Sequence, residues 1–220
     1  MNDDSAFQAG ARLIPFSIMA PVAAIIGNIT IGKTRIPPIY FLLAGGLFEV
    51  AGVAGLAVTP TTLKVWPAQY AFQVLAGIGV GFFTGTLTLI CPFVVSKGDL
   101  GKSWESLNYY PSLTRAGVGT AAVAQFKILG GMAVLAIVTS IMNRSIRNNL
   151  LTFLPVDEVV KVLDATKVLS TLPEDVQEQI RGVFGRGYNL QMKIIIGFAA
   201  AQVPATLLMW TKKPIMVDKK

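Results

Sequence analysis

The 220-residue chain has no histidine and a single cysteine, and only 14% of its residues are charged. Each scarcity excludes something. Without histidine, and with one thiol, no ligand set exists for a conventional zinc site. Cys91 can make no disulfide within the chain, and its place inside an apolar run suits a small packing residue. Charged residues make up about a quarter of an ordinary soluble domain. A chain that is 53% hydrophobic, with a mean hydropathy of +0.59, has too little polar surface to coat a soluble core. The sequence pattern offers no nucleophile–base–acid set, no phosphate-binding loop and no metal cluster, so neither an enzyme nor a cofactor is expected.

What the sequence does contain is five long runs almost free of charge. Residues 13–32, 65–96 and 194–211 carry none, residues 36–63 carry only Glu49, and residues 117–142 carry only Lys127. A membrane-spanning helix needs about 20 mostly apolar residues, and lipid offers no partner to an unpaired backbone group. The sequence therefore predicts an all-α, polytopic membrane helix bundle with the lipid bilayer as its surroundings. The spans fall at about 11–32, 37–60, 68–95, 117–142 and 188–211. Residues 1–10 are acidic and polar and lack the basic start and short apolar core of a cleaved signal, so they are expected as an outer tail.

The cations set the orientation, because short loops rich in Lys and Arg stay on the cytoplasmic side. Lys33 and Arg35 follow the first span, Lys97, Lys102 and Arg115 the third, and Lys212, Lys213, Lys219 and Lys220 the fifth, in a basic tail over 212–220. With the N-terminus outside, all of them share the cytoplasmic face, while the loop between spans two and three holds only Lys64. The net charge of +7 is thus a topology signal. It forms no aromatic-interleaved basic patch, and no nucleic-acid partner is expected.

Residues 143–187 read as an outer helical loop. Val156, Val159, Val160 and Leu163 fall at helical spacing after Pro155. A second short helix is expected from Pro173, whose apolar stripe is Val176, Ile180, Val183 and Phe184, with Gly185 and Gly187 breaking it before the last span. The expected role is a cap over the outer mouth of the bundle, with a partner-binding surface as the alternative.

Within the spans, Gly77, Gly81 and Gly85 recur every four residues, which strips one helix face of side chains and lets a neighbouring helix come close. Gly130 and Gly131 extend the same expectation to the fourth span. Intramembrane polar residues are the candidates for chemistry, since a charge at mid-bilayer costs several kcal/mol unless paired or wet. Glu49 reads either as a proton-titrating or cation-attracting group or as a neutral hydrogen-bonding one. Lys127 reads as a partner for Glu49 or for an anionic substrate group. Gln73, Gln125 and Gln191 can line a path or bond neighbouring helices.

Four stretches carry a family resemblance: Ala11-Arg12-Leu13-Ile14-Pro15-Phe16, the run from Ala71 through Phe72 and Gln73 to Gly81, Gln125-Phe126-Lys127-Ile128-Leu129-Gly130-Gly131, and Tyr188-Asn189-Leu190-Gln191-Met192-Lys193. In this order the chain resembles the C-terminal part of fungal major facilitator superfamily exporters, in the fourteen-helix drug:proton antiporter branch that includes mycotoxin efflux pumps. The resemblance implies a partial C-terminal bundle of that fold. It also implies export of small organic molecules such as drugs or toxins, proton coupling by alternating access, and a multi-pass place in the plasma membrane, with the vacuolar membrane as the alternative. The turn bearing Lys33 and Arg35 matches the family's cytoplasmic loop motif only weakly and lacks its Asp. Five helices do not enclose a two-bundle path by themselves, so the expected partners are small organic substrate, protons, and a missing N-terminal bundle or another transporter chain. The alternative function is a non-transporting truncated remnant, or a modulator of a full-length transporter.

Overall fold

A computed structural model describes residues 6–34, 36–58, 60, 66–94, 111–164 and 173–211. Seven helices follow one another: α1 (Ala6–Ala11), α2 (Ile14–Thr34), α3 (Pro38–Ala57), α4 (Ala68–Val94), α5 (Pro111–Leu150), α6 (Val156–Asp164) and α7 (Glu174–Leu208). Among the described residues there is no strand. Five of the helices, α2, α3, α4, α5 and α7, are long and apolar enough to cross a membrane. The chain is an all-α, multi-pass membrane protein.

Local chemistry sets the helix starts. Pro38 opens α3, where its missing N–H is no loss, and Pro37 before it is held extended at φ −55° and ψ 130°. The connection from α2 is therefore short and reverses the chain. Pro173 precedes α7, its carbonyl accepts from the N–H groups of Val176 and Gln177, and Glu174 and Asp175 place negative charge at the positive helix end. In the spans, Thr30, Thr88, Thr139 and Thr206 return their hydroxyls to carbonyls one turn back, which satisfies them without water.

Glycine decides which helices meet. On α4, Gly77 lies where a Cβ would be 2.9 Å from the Phe16 carbonyl oxygen, a Cβ on Gly81 would strike the Ala20 carbonyl, and one on Gly85 would be 2.9 Å from the Ala24 Cα. The expected glycine stripe is thus the seat of α2, and the pairs advance together, so α2 and α4 run parallel. Gly79, on another face of α4, abuts the backbone of Glu49, while Gly52 abuts Ala76 and Gly55 abuts Phe72. Those pairs advance in opposite senses, so α3 runs antiparallel to α4. Such close backbone approach is how membrane helices gain dispersion contact where no hydrophobic force drives them together.

The remaining two spans continue the alternation. Gly46 of α3 faces Val203 of α7, and Tyr40 stacks edge-on against Trp210 at a ring separation of 5.8 Å, so α7 opposes α3. Gly187 of α7 faces Ile146 of α5, while further along α7 Ile195 to Gln202 share a cleft with the earlier α5 residues Gly130 to Val138, so these two are antiparallel as well. Chain direction thus reverses at every span. Tyr40 and Trp210, both half exposed, mark one end of the bundle, and Trp66, Tyr70 and Tyr188 lie towards the other. The stretch from Tyr188 to Trp210 covers about 33 Å at 1.5 Å per residue, the thickness of a bilayer's hydrocarbon core between its aromatic belts.

The polar segment departs in part from expectation. α6 forms as predicted, but the second short helix is not separate: residues from Glu174 onward run unbroken into the last span as α7. Gly185 and Gly187 do not break it. Gly187 is buried, and a Cβ there would lie 2.8 Å from Ile146, so packing against α5 keeps it helical. The fourth span likewise extends past 142 to Leu150. Ile146, Leu150, Leu154, Val159, Val162, Ile180 and Val183 form one buried cluster that ties the ends of α5 and α7 to α6. The cluster packs α6 against the ends of α5 and α7. Ala6–Ala11 of the N-terminal tail is also helical.

Candidate functional site

Glu49 lies near the middle of α3 and is partly buried. Gly46, one turn earlier on the same helix, has no side chain to hold α7 away: a Cβ there would be 3.3 Å from Val203 and 3.6 Å from the Gln202 side chain. The close approach lets Gln202 Nε2 donate a hydrogen bond of 2.8 Å to Glu49 Oε2. The backbone of Glu49 is fixed from the other side by Gly79 of α4. The carboxylate is therefore held at both its main chain and one oxygen, while Oε1 remains to accept from another group.

This pair sits in a cleft of about 360 Å³ lined by α3, α5 and α7. Along α7 the lining residues are Gln191, Ile195, Phe198, Ala199 and Gln202, and along α5 they are Gly130, Gly131, Val134, Leu135 and Val138. Both sets follow helical spacing, so each helix gives one face to the cleft. The cleft is open at the end away from α6. At Ile146 and Gly187 the two helices touch, whereas Gly130 and Gly131 are exposed and a Cβ on either would meet nothing within 4 Å. The volume is at the lower end of the range for sites that take a drug-sized molecule, which are mostly apolar with a few placed polar groups.

The residues singled out from sequence separate into two groups. Glu49 and Gln191 both line the cleft. Gln73 does not: it is 4% exposed within α4, and its Oε1 has no hydrogen-bond partner. Gln125 and Lys127 are exposed on α5 and are not among the cleft residues. The pairing considered for Lys127 and Glu49 is not made; Glu49 takes its bond from Gln202. Lys127 nevertheless falls one turn before Gly131 on the same helical face. Gly77, Gly81 and Gly85 pack as expected, whereas the packing expected of Gly130 and Gly131 is not made within the chain. Lys33 is exposed at the end of α2, and Arg35, Lys64, Lys97, Lys102 and the 212–220 tail lie outside the described residues. Gln202 carries the site's one interhelical side-chain bond and was not among the sequence candidates. Its signal was the one used for the other glutamines, an amide inside an uncharged run.

No protein-family model and no solved structure matches the chain. The chain is similar to the MFS-type transporter FPY5 of Fusarium mangiferae, with 27% identity over 214 residues, 97% of this chain. It spans 33% of that protein's length. This likeness to a membrane transporter runs across nearly the whole chain and accords with its five helices long and apolar enough to cross a membrane.

Proposed function

We propose that the chain is the C-terminal part of a major facilitator exporter of the drug:proton antiporter branch, which moves small organic molecules such as drugs or toxins across the plasma membrane in exchange for protons. The observation that carries this reading is a mid-span carboxylate, Glu49, opening into a cleft whose walls are otherwise apolar and amide-bearing. A carboxylate there costs several kcal/mol unless it is paired, wet or protonated, which is the property an exchange site for a proton and a solute needs. Gln202 holds one oxygen. A proton, or a donor group of the solute, takes the other, and the two compete.

The exposed surface of α5, with Gln125, Phe126, Lys127, Gly130 and Gly131, is where a second bundle covers the cleft and completes an alternating-access path. The length of the relative, of which this chain spans a third, supports that partner. The test is efflux by the protein expressed from its own gene and reconstituted in vesicles. Export of small organic dyes driven by a proton gradient, with Glu49→Gln slowing it at least tenfold and flattening its pH dependence, supports the proposal. A protein that moves no solute but alters a full-length pump supports the modulator reading in its place.

A further inference from the structure

The polar groups of the cleft are not gathered at one point. Glu49 and Gln202 stand at one end and Gln191 at the other, and Gln191 and Gln202 are about 16 Å apart along α7 at 1.5 Å per residue. Between them the α7 face presents Ile195, Phe198 and Ala199, and the facing stretch of α5 presents Val134, Leu135 and Val138. Because α5 and α7 are antiparallel, Val138 lies toward the Gln191 end and Gly130 and Gly131 toward Gln202. The cleft is an apolar trough with a polar pole at each end.

We infer that its ligand is an elongated amphiphile with a polar group at each end of an apolar body, a hydrogen-bond donor at the Glu49 pole and either a donor or an acceptor at the Gln191 pole. The first follows because Glu49 Oε1 accepts, and the second because an amide both donates and accepts. The side-chain-free surface at Gly130 and Gly131 leaves room for a head group at the Glu49 end. Gln191 is therefore a specificity-determining residue that measures ligand length. This inference rests on the reading of the cleft as the solute site.

The test uses the protein expressed from its own gene, purified in detergent, and titrated with ω-hydroxyalkylamines of increasing chain length alongside plain alkylamines of the same carbon number. Affinity for the two-headed series peaks where the heads stand about 16 Å apart. Gln191→Leu lowers that peak roughly three- to tenfold, the worth of one hydrogen bond, does not weaken the plain amines, and Gln191→Asn recovers part of the loss. Affinity that rises steadily with chain length in both series, or a Gln191→Leu effect equal for both, overturns the two-pole trough, while efflux in vesicles shows independently whether the transport reading survives. A length optimum in a protein that moves no solute upholds the trough and removes the transport reading.

Discussion

Gln202 on α7 donates its Nε2 hydrogen to Glu49 Oε2 on α3 across 2.8 Å, joining two helices at positions 153 residues apart in the chain. The bond exists because Gly46 lets α7 approach α3. In such a pair the two partners are not equivalent to remove. Gln202→Leu leaves a partly buried carboxylate oxygen without its donor and costs about 1–3 kcal/mol, whereas Glu49→Leu with Gln202→Leu removes both partners and is closer to neutral. Thermal unfolding in detergent, followed by circular dichroism, reads the difference: the double variant melts above the single Gln202→Leu variant.

The glycines divide into those that touch a neighbouring helix and those that face open space. Gly81→Ala drives a methyl into the Ala20 carbonyl of α2 and costs about 1–3 kcal/mol by overpacking. Gly130→Ala meets nothing within 4 Å in this chain, so it costs no contact and raises stability by up to about 1 kcal/mol, since alanine is the better helix former. The same melting assay on the 220-residue chain separates the two.

The five spans were legible in sequence because lipid imposes a local rule, a run of apolar residues long enough to cross, and that rule needs no knowledge of neighbours. The spacing of Gly77, Gly81 and Gly85 was legible for the same reason, but not that the stripe seats α2 while Gly79 seats α3. The continuity of α7 was hidden. Gly185 and Gly187 are helix breakers by local preference, and it is contact with Ile146, on a different helix, that keeps the helix intact at Gly187. Gln202 looked like any other amide in an apolar run, because its role comes from the register of α7 against α3. Lys127 drew attention as a lone cation, yet its side chain is exposed on α5.

The cluster that joins α6 to the ends of α5 and α7 depends on a few side chains that are almost wholly buried. Ile180 is 0% exposed and Val159 1%, so Ile180→Ala costs about 2–5 kcal/mol. That loss is local to the ends of α5, α6 and α7. Amide hydrogen exchange rises in α6 and in the first turns of α7, while α3 and α4, joined through Gly45, Gly52 and Gly79, keep their protection.

The alternation of chain direction fixes which ends share a side. In a Cys91→Ser background, which has no other thiol, a cysteine replacing Lys33 and one replacing Thr211 react with a membrane-impermeant maleimide from the same side. A cysteine replacing Glu174 reacts from the opposite side. From the charge distribution, the first pair is expected to label from the cytoplasmic side. Labelling of all three from one side contradicts the five-crossing arrangement.

The most direct test of the cleft as a solute site is protection of a thiol placed in it. Gly131→Cys, within the protein expressed from its own gene with Cys91 and every other native cysteine replaced by serine, is labelled with maleimide in the presence and absence of a solute that the protein exports from vesicles. The account predicts that saturating solute slows labelling of Gly131→Cys severalfold and that adding Glu49→Gln abolishes the protection. Labelling at an unchanged rate under saturating solute contradicts it.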